Sequence, residues 1–196
     1  MPEMLLKPSG GVADKLISAV SGGMHLDGLS DTADGFLSAR PRARILEIMK
    51  DSHVGVMGAA AIASLLLLKA SAVASIPREM LWRVAFLMPV AGRSALVVSM
   101  AVLPYARPEG GVASVFYKRR LRSAALLAAA LLATAGWLAC RWSGLVCAGA
   151  SVGAVLLFSA WAYRRIGGAT GDTLGAACEI AEVVPALVLS AWCFRG

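Results

Sequence analysis

The chain is poor in charge. Of its 196 residues only 16% are Asp, Glu, Lys or Arg, where a soluble domain carries about a quarter. It has 12 acidic side chains and two histidines, His25 and His53, so any local concentration of acids is informative. Cysteine is sparse as well. Cys140, Cys147, Cys178 and Cys193 form no C-x-x-C pair, which gives no support to a zinc site or a disulfide framework. All four lie in or beside apolar runs, where cysteine packs as a small apolar side chain. There is no internal repeat and no low-complexity segment beyond alanine- and leucine-rich runs. Nor does the start read as a cleavable signal peptide, since Met1 to Asp14 is polar and holds Pro2, Pro8, Gly10 and Gly11.

What the chain has instead is apolar length. Hydrophobic residues make up 58% of it, and the mean hydropathy is +0.71. The excess is gathered into runs at Val54–Ile76, Met80–Leu103, Ser123–Cys140, Gly144–Tyr163 and Ala176–Phe194. Each is close to the roughly 20 residues that cross a bilayer as a helix. A further segment, Val12–Val20, is too short and polar for a span and reads as the end of a helix. The expected fold is all-α: one integral membrane domain over residues 1–196, a polytopic bundle of about five to six membrane helices.

The charged connections support these spans. Phe36–His53, Tyr105–Arg122 and Arg164–Asp172 are each separated from the next by two spans, so all three fall on one side. They hold eleven Lys/Arg: Arg40, Arg42, Arg44, Lys50, Arg107, Lys118, Arg119, Arg120, Arg122, Arg164 and Arg165. The other side has four, Arg78, Arg83, Arg141 and Arg195. Basic loops mark the cytoplasmic side of a membrane protein. This bias accounts for the net charge of +7 without nucleic acid as a partner, and it directs the first of these connections to the cytoplasm, at a cell (inner) membrane.

Just before that connection stand three carboxylates, Asp27, Asp31 and Asp34, spaced D-x3-D-x2-D. Steps of three and four put them on one helical face, with no Lys or Arg among them. Like charges held together in this way call for a cation, and oxygen ligands select a hard divalent ion such as Mg2+. Glu47 and Asp51, four apart, add a second acidic pair beside His53; ordinary ion pairing with Arg44 and Lys50 is the plainer account of that pair taken alone. Read together, the five acids form one shared site at the end of a span. Neither histidine has a cysteine near it, so each is placed to bind substrate or move a proton rather than to hold zinc.

Gly167-Gly168-Ala169-Thr170-Gly171-Asp172-Thr173 is a glycine-rich turn ahead of the last apolar run. It suits close approach to a phosphate at a helix N-terminus, or a plain turn with Asp172 as N-cap. Glu179 and Glu182 follow on the same face inside the apolar run, where they need partners. Their basic partners can be named: Lys69 in the first span and Arg93 near the middle of the second, while Arg83 sits near a span end where snorkelling accounts for it. An intramembrane arginine faces the bundle interior or a watery cavity, and Lys69 is within reach of the interface by snorkelling.

Four segments taken together resemble the cobalamin-5'-phosphate synthases, the adenosylcobinamide-GDP ribazoletransferases. They are Gly22–Gly35, Glu47–Gly55, Pro104-Tyr105-Ala106-Arg107-Pro108-Glu109-Gly110, and Gly167–Ala176. They occur in the family's order and extend from about Leu16 to the C-terminus. The resemblance implies a membrane enzyme that transfers phosphocobinamide from adenosylcobinamide-GDP to α-ribazole or its 5'-phosphate, releasing GMP with Mg2+. There is a wider similarity to the CDP-alcohol phosphotransferases, whose motif has two aspartates three apart, Gly, then Ala-Arg and two further acids. Asp31, Asp34, Gly35, Ala39, Arg40, Glu47 and Asp51 resemble it, with one extra residue before Ala39, Glu47 in place of an aspartate, and Asp27 added.

By this analogy Asp27, Asp31, Asp34 and Asp51 bind the metal, and Asp51 or Glu47 accepts the ribose hydroxyl proton. His25, Lys69, Arg93, Arg107, Gly171 and Asp172 are the expected substrate contacts. The family's proteins carry further apolar segments before the Gly-Gly-x-His-Leu-Asp motif, whereas twenty-one residues precede Gly22 here. The alternative readings are a lipid-directed CDP-alcohol phosphotransferase, an ion transporter, or an inactive truncated paralogue. Oligomeric state, a homo-oligomer included, is left open by the sequence.

Overall fold

The computed structural model describes residues 23–107, 117 and 122–193. The expected Val12–Val20 helix end, Gly22, Pro108-Glu109-Gly110, the run Lys118-Arg119-Arg120, Phe194 and Arg195 lie outside the described residues. Six α-helices carry the described chain: α1 (Gly23–Leu37), α2 (Arg42–Ile48), α3 (Val56–Ala74), α4 (Leu81–Val102), α5 (Arg122–Ile166) and α6 (Gly171–Cys193). A short 3-10 turn, Arg78–Met80, leads into α4. Apolar runs in lipid have no water to satisfy their N–H and C=O groups, so they fold into helices that satisfy them internally. Pro89 in α4 and Pro185 in α6 are accommodated within helices, as membrane helices allow.

Four helical segments among the described residues are long and apolar enough to cross a membrane: Val56–Ala74, Arg78–Val102, Arg122–Ile166 and Gly171–Cys193. The expectation of five to six is thus met only at the level of an all-α bundle with membrane-length helices. The difference lies in α5. The two expected runs, Ser123–Cys140 and Gly144–Tyr163, form one 45-residue helical stretch interrupted at Arg141 (φ 55, ψ −126). The stretch doubles back there. Leu132 packs in one apolar cluster with Ala148 and Val155, and Ala125 and Val152 lie against that cluster. Gly136 and Gly144 meet so closely that a Cβ on Gly144 would lie 1.8 Å from the Gly136 carbonyl oxygen. Only glycine permits that backbone approach.

The last helix begins at Gly171, at the glycine turn and ahead of the apolar run Ala176–Phe194. Thr170 and Thr173 form a reciprocal cap: the Thr170 N–H donates to Thr173 Oγ1 (2.8 Å) and the Thr173 N–H donates to Thr170 Oγ1 (3.3 Å). Such a pair satisfies the helix's orphan donors, so Thr170 takes the capping role that the sequence offered to Asp172.

The three charged connections meet at one end of the bundle. The Tyr105–Ala169 bridge joins the loop after α4 to the loop before α6, the Ala106 N–H donating to the Ala169 carbonyl and the Ala169 N–H to that of Pro104, both at 2.8 Å. Gly168 has to be small there, since a Cβ would lie 2.3 Å from the Pro104 oxygen. Arg42 of α2 donates to the Ala106 carbonyl at 3.2 Å, and Arg165 donates to that of Phe36. Beneath these loops Phe36, Ile45, Met49, Leu103, Ala106, Ile166, Ala169 and Leu174 form a buried apolar cluster. This cluster holds the motif-bearing segments rigidly against one another.

Candidate active site

Helix α1 carries the first acidic motif into this end of the bundle. It packs on α6 through small residues: a Cβ on Gly28 would stand 2.6 Å from the Asp172 carbonyl oxygen, and one on Gly175 would stand 3.2 Å from the His25 Cα. That close packing sets Asp172 beside the turn bearing Asp27 and Asp31. The Asp31 carboxyl is pushed up to about 7, first by burial and then by the charges of Asp27, Asp172 and Asp34, with Arg107 opposing. Uncompensated negative charge in a partly buried place is the cause.

Asp172 comes from a motif 141 residues beyond Asp31 and is the acid that the sequence set apart as a substrate contact. Its Oδ2 accepts hydrogen bonds from Arg107 Nη2 at 2.8 Å and from Thr170 Oγ1 at 3.2 Å. Arg107 Nη2 also donates to the Met49 carbonyl at 3.5 Å. The loop pairing at Tyr105 and Ala169 delivers this arginine to the acids. Gly171, at the start of α6, has no neighbour near the position a Cβ would take and is exposed.

Asp34 stands differently. Its Oδ2 accepts the Gly55 N–H at 2.8 Å and its Oδ1 the Gly58 N–H at 2.9 Å, so both oxygens hold the N-terminus of α3. Glu47 and Asp51 are peripheral. Glu47 is paired with Arg44 at 2.7 Å on an exposed face, the plainer of the two sequence readings. Asp51 is exposed and bonded to His53, its Oδ1 lying 2.6 Å from Nδ1 and accepting the His53 N–H at 3.1 Å. That hydrogen bond holds the Asp51 carboxyl below its ordinary range and the His53 imidazole above its own.

Lys69 and Arg93 are directed to acids of α6. Lys69 Nζ donates to Glu179 Oε2 at 2.6 Å and to Glu182 Oε2 at 3.1 Å. Arg93 Nη1 donates to Glu182 Oε1 at 3.2 Å and to the Cys178 sulfur at 3.1 Å. His25 Nδ1 lies 3.6 Å from the same sulfur, and burial, followed by the Arg93 charge, holds its imidazole below the ordinary histidine value. These residues form a second polar layer deeper in the bundle. The sequence named Lys69 and Arg93 as the basic partners of Glu179 and Glu182, and these contacts agree with it; which base meets which acid comes from the fold.

The donor set suits a hard divalent cation. Asp27, Asp31 and Asp172 are oxygen donors, and burial followed by the charges of Asp27 and Asp172 raises the Asp31 carboxyl. Among the described residues no three His, Cys, Asp or Glu side chains are arranged to hold a metal ion.

Residues 12–190 match the family model described as cobalamin-5-phosphate synthase. The chain is 41% identical over 184 residues to the adenosylcobinamide-GDP ribazoletransferase of Herpetosiphon aurantiacus, covering 88% of this chain and 69% of that protein. It is 46% identical over 172 residues to the protein of that name from a Roseiflexus species, covering 87% and 63%. With the one from Clostridium novyi the figures are 35% over 170 residues, 87% and 68%. The chain therefore spans between 63% and 69% of the length of these relatives. No solved structure matches it. With four motif segments assembled at one end of a helical bundle and a family match over nearly its whole length, the chain belongs to the cobalamin-5-phosphate synthase family.

Proposed function

We propose that the chain transfers the phosphocobinamide group of adenosylcobinamide-GDP to the ribose hydroxyl of α-ribazole or α-ribazole 5'-phosphate, with release of GMP. The observation that carries this reading is the meeting of Asp27, Asp31, Asp172 and Arg107 at the end of the bundle where all the family-like segments converge. The names of the relatives supply the reaction. The bundle lies in the cell (inner) membrane with five crossings, the two legs of α5 counting separately on the strength of the reversal at Arg141. The excess of Lys and Arg in the three converging loops supports a cytoplasmic position for the acids.

Asp27, Asp31 and Asp172 would hold Mg2+, in place of the sequence-based set that included Asp34 and Asp51. When bound, the ion supplies charge to the pyrophosphate oxygens during in-line displacement. Arg107, bonded to Asp172, would offset phosphate charge beside the acids. The ribose oxygen bonds to the phosphorus that carries cobinamide, the bond from that phosphorus to the GMP oxygen breaks, and the hydroxyl proton passes to Asp51. His53, bonded to Asp51, takes the proton onward. Glu47 is left on the surface with Arg44. Lys69, Arg93 and His25 form the polar floor behind the acids.

The test is substrate choice. The full chain in lipid nanodiscs, given adenosylcobinamide-GDP, α-ribazole and Mg2+, is expected to release GMP. Release of CMP from a CDP-alcohol with no GMP from the corrinoid donor would assign the lipid-directed reaction instead.

A further inference from the structure

Helix α3 is attached to the bundle by little apolar surface. Its buried residues are Gly58, Leu65 and Ala72, a single stripe with a seven-residue step. Its N-cap residue, Gly55, brings no side-chain cap. Two polar contacts make up for this. At mid-length Lys69 reaches Glu179 and Glu182 on α6. At the N-terminus both carboxylate oxygens of Asp34 accept the Gly55 and Gly58 N–H groups. Glycine lets the carboxylate approach this closely: a Cβ on Gly55 would lie 2.3 Å from Asp34 Oδ1, and one on Gly58 would lie 2.4 Å from Asp34 Oδ2 and 2.3 Å from Ser30 Oγ, so either would push the Asp34 side chain away. A carboxylate at a helix N-terminus also meets the positive end of the helix dipole, so the Asp34 charge is compensated without a metal.

We infer that Asp34 is a positioning residue, a clamp from α1 to the N-terminus of α3, and not one of the cation ligands. Its task is to fix the segment 49–55, which carries Asp51 and His53 and leads directly into the clamped amides. Met49 at the start of that segment touches Arg107 through its carbonyl, so the clamp sets the proton-accepting pair at a defined distance from the acids of α1 and α6. Asp31, one helical turn away on α1, has no such backbone partner among the bonds described.

This inference rests on the proposed transfer reaction, and the experiment separates the two. The full chain in nanodiscs is compared with Asp34→Asn, Gly58→Ala and Asp31→Asn. Mn2+ affinity is read by electron paramagnetic resonance, kcat and KM by GMP release, and amide exchange over residues 55–59 by mass spectrometry. Gly58→Ala retains every acidic residue and dislodges the Asp34 side chain from the α3 amides, with Ser30 also adjusting. Asp34→Asn and Gly58→Ala are expected to keep Mn2+ affinity and KM within about threefold, to lose about tenfold or more in kcat, and to exchange amides 55–59 about tenfold faster, the scale of a lost supporting partner. Asp31→Asn is expected to weaken Mn2+ by about tenfold or more. Weakening of Mn2+ by Asp34→Asn to the same degree, with exchange unchanged, would overturn the clamp. So would a loss of thermal stability in Asp34→Asn with kcat of the folded protein unchanged. If Asp31→Asn leaves Mn2+ binding intact, the cation reading fails, and the exchange at residues 55–59 still decides whether Asp34 holds α3.

Discussion

Among single residues, Asp31 has the most definite consequence. Its carboxyl is pushed up to about 7, so proton and cation compete for it near neutrality. Affinity for Mg2+ or Mn2+ is expected to rise as pH rises through about 7, by up to about tenfold per unit below that value where one proton is displaced. Titration of Mn2+ binding between pH 5.5 and 8.5 checks this, and Asp31→Asn should flatten the profile. The linkage to stability has the opposite sign. The folded state keeps a proton that the unfolded chain has already lost above its ordinary value of 3.8, so the cation-free protein loses stability as pH rises from about 4 through about 7. Adding the divalent ion should restore it. The sequence showed that three aspartates share a face, but not that they differ in role. Asp34 and Asp31 are separated by one turn, and what distinguishes them is α3, whose N-terminus arrives from outside that segment.

Among the helices, α3 and α6 are joined by the intramembrane ion cluster. Lys69 is the sole contact to Glu179 among the salt bridges of the described residues, and the side chains of Glu179 and Lys69 are 5% and 17% exposed. Removing one partner of a buried pair costs about 3–5 kcal/mol because the other charge is left uncompensated. Lys69→Met is therefore expected to lower thermal stability sharply in detergent, and Lys69→Met with Glu179→Gln to recover part of the loss. At the start of α6, Thr170→Ala removes one half of the reciprocal cap and should cost about 1 kcal/mol. Both effects are read by thermal unfolding followed by intrinsic tryptophan fluorescence.

The helices themselves were legible because hydropathy and length act locally: each of the five expected runs begins or ends within a few residues of an observed helix end. The last helix starts ahead of its apolar run because the Thr170–Thr173 cap lies there. Pairing between helices was legible only where charge demands it: acids and bases inside spans need each other, so Lys69 and Arg93 stood as partners for Glu179 and Glu182. Which base meets which acid was not legible, since Lys69 and Glu179 are 110 residues apart.

For the molecule as a whole, the arrangement depends on close backbone approaches that bring distant segments to one end. The reversal of α5 is one of them. Gly144→Ala would place its methyl group 1.8 Å from the Gly136 oxygen, and because both partners are backbone, the legs must separate. Overpacking of this kind costs about 1–3 kcal/mol, so a lowered unfolding temperature with cation affinity retained is expected. The second is the pairing of the loops at Tyr105 and Ala169, which brings Arg107 to Asp172. Each of these segments was recognisable as a motif in the sequence. Their convergence required the fold, and it moved Asp172 from the substrate contacts into the acid cluster while leaving Glu47 on the surface.

The account stands or falls on that cluster. The decisive measurement is GMP release from adenosylcobinamide-GDP and α-ribazole by the full chain in nanodiscs, compared with Asp31→Asn and Asp172→Asn at matched protein levels. Each substitution is expected to lower kcat by about a hundredfold or more, the usual effect of removing an electrostatic partner of the transition state, with the protein still inserted and folded. GMP release at the unsubstituted rate in both variants would contradict it.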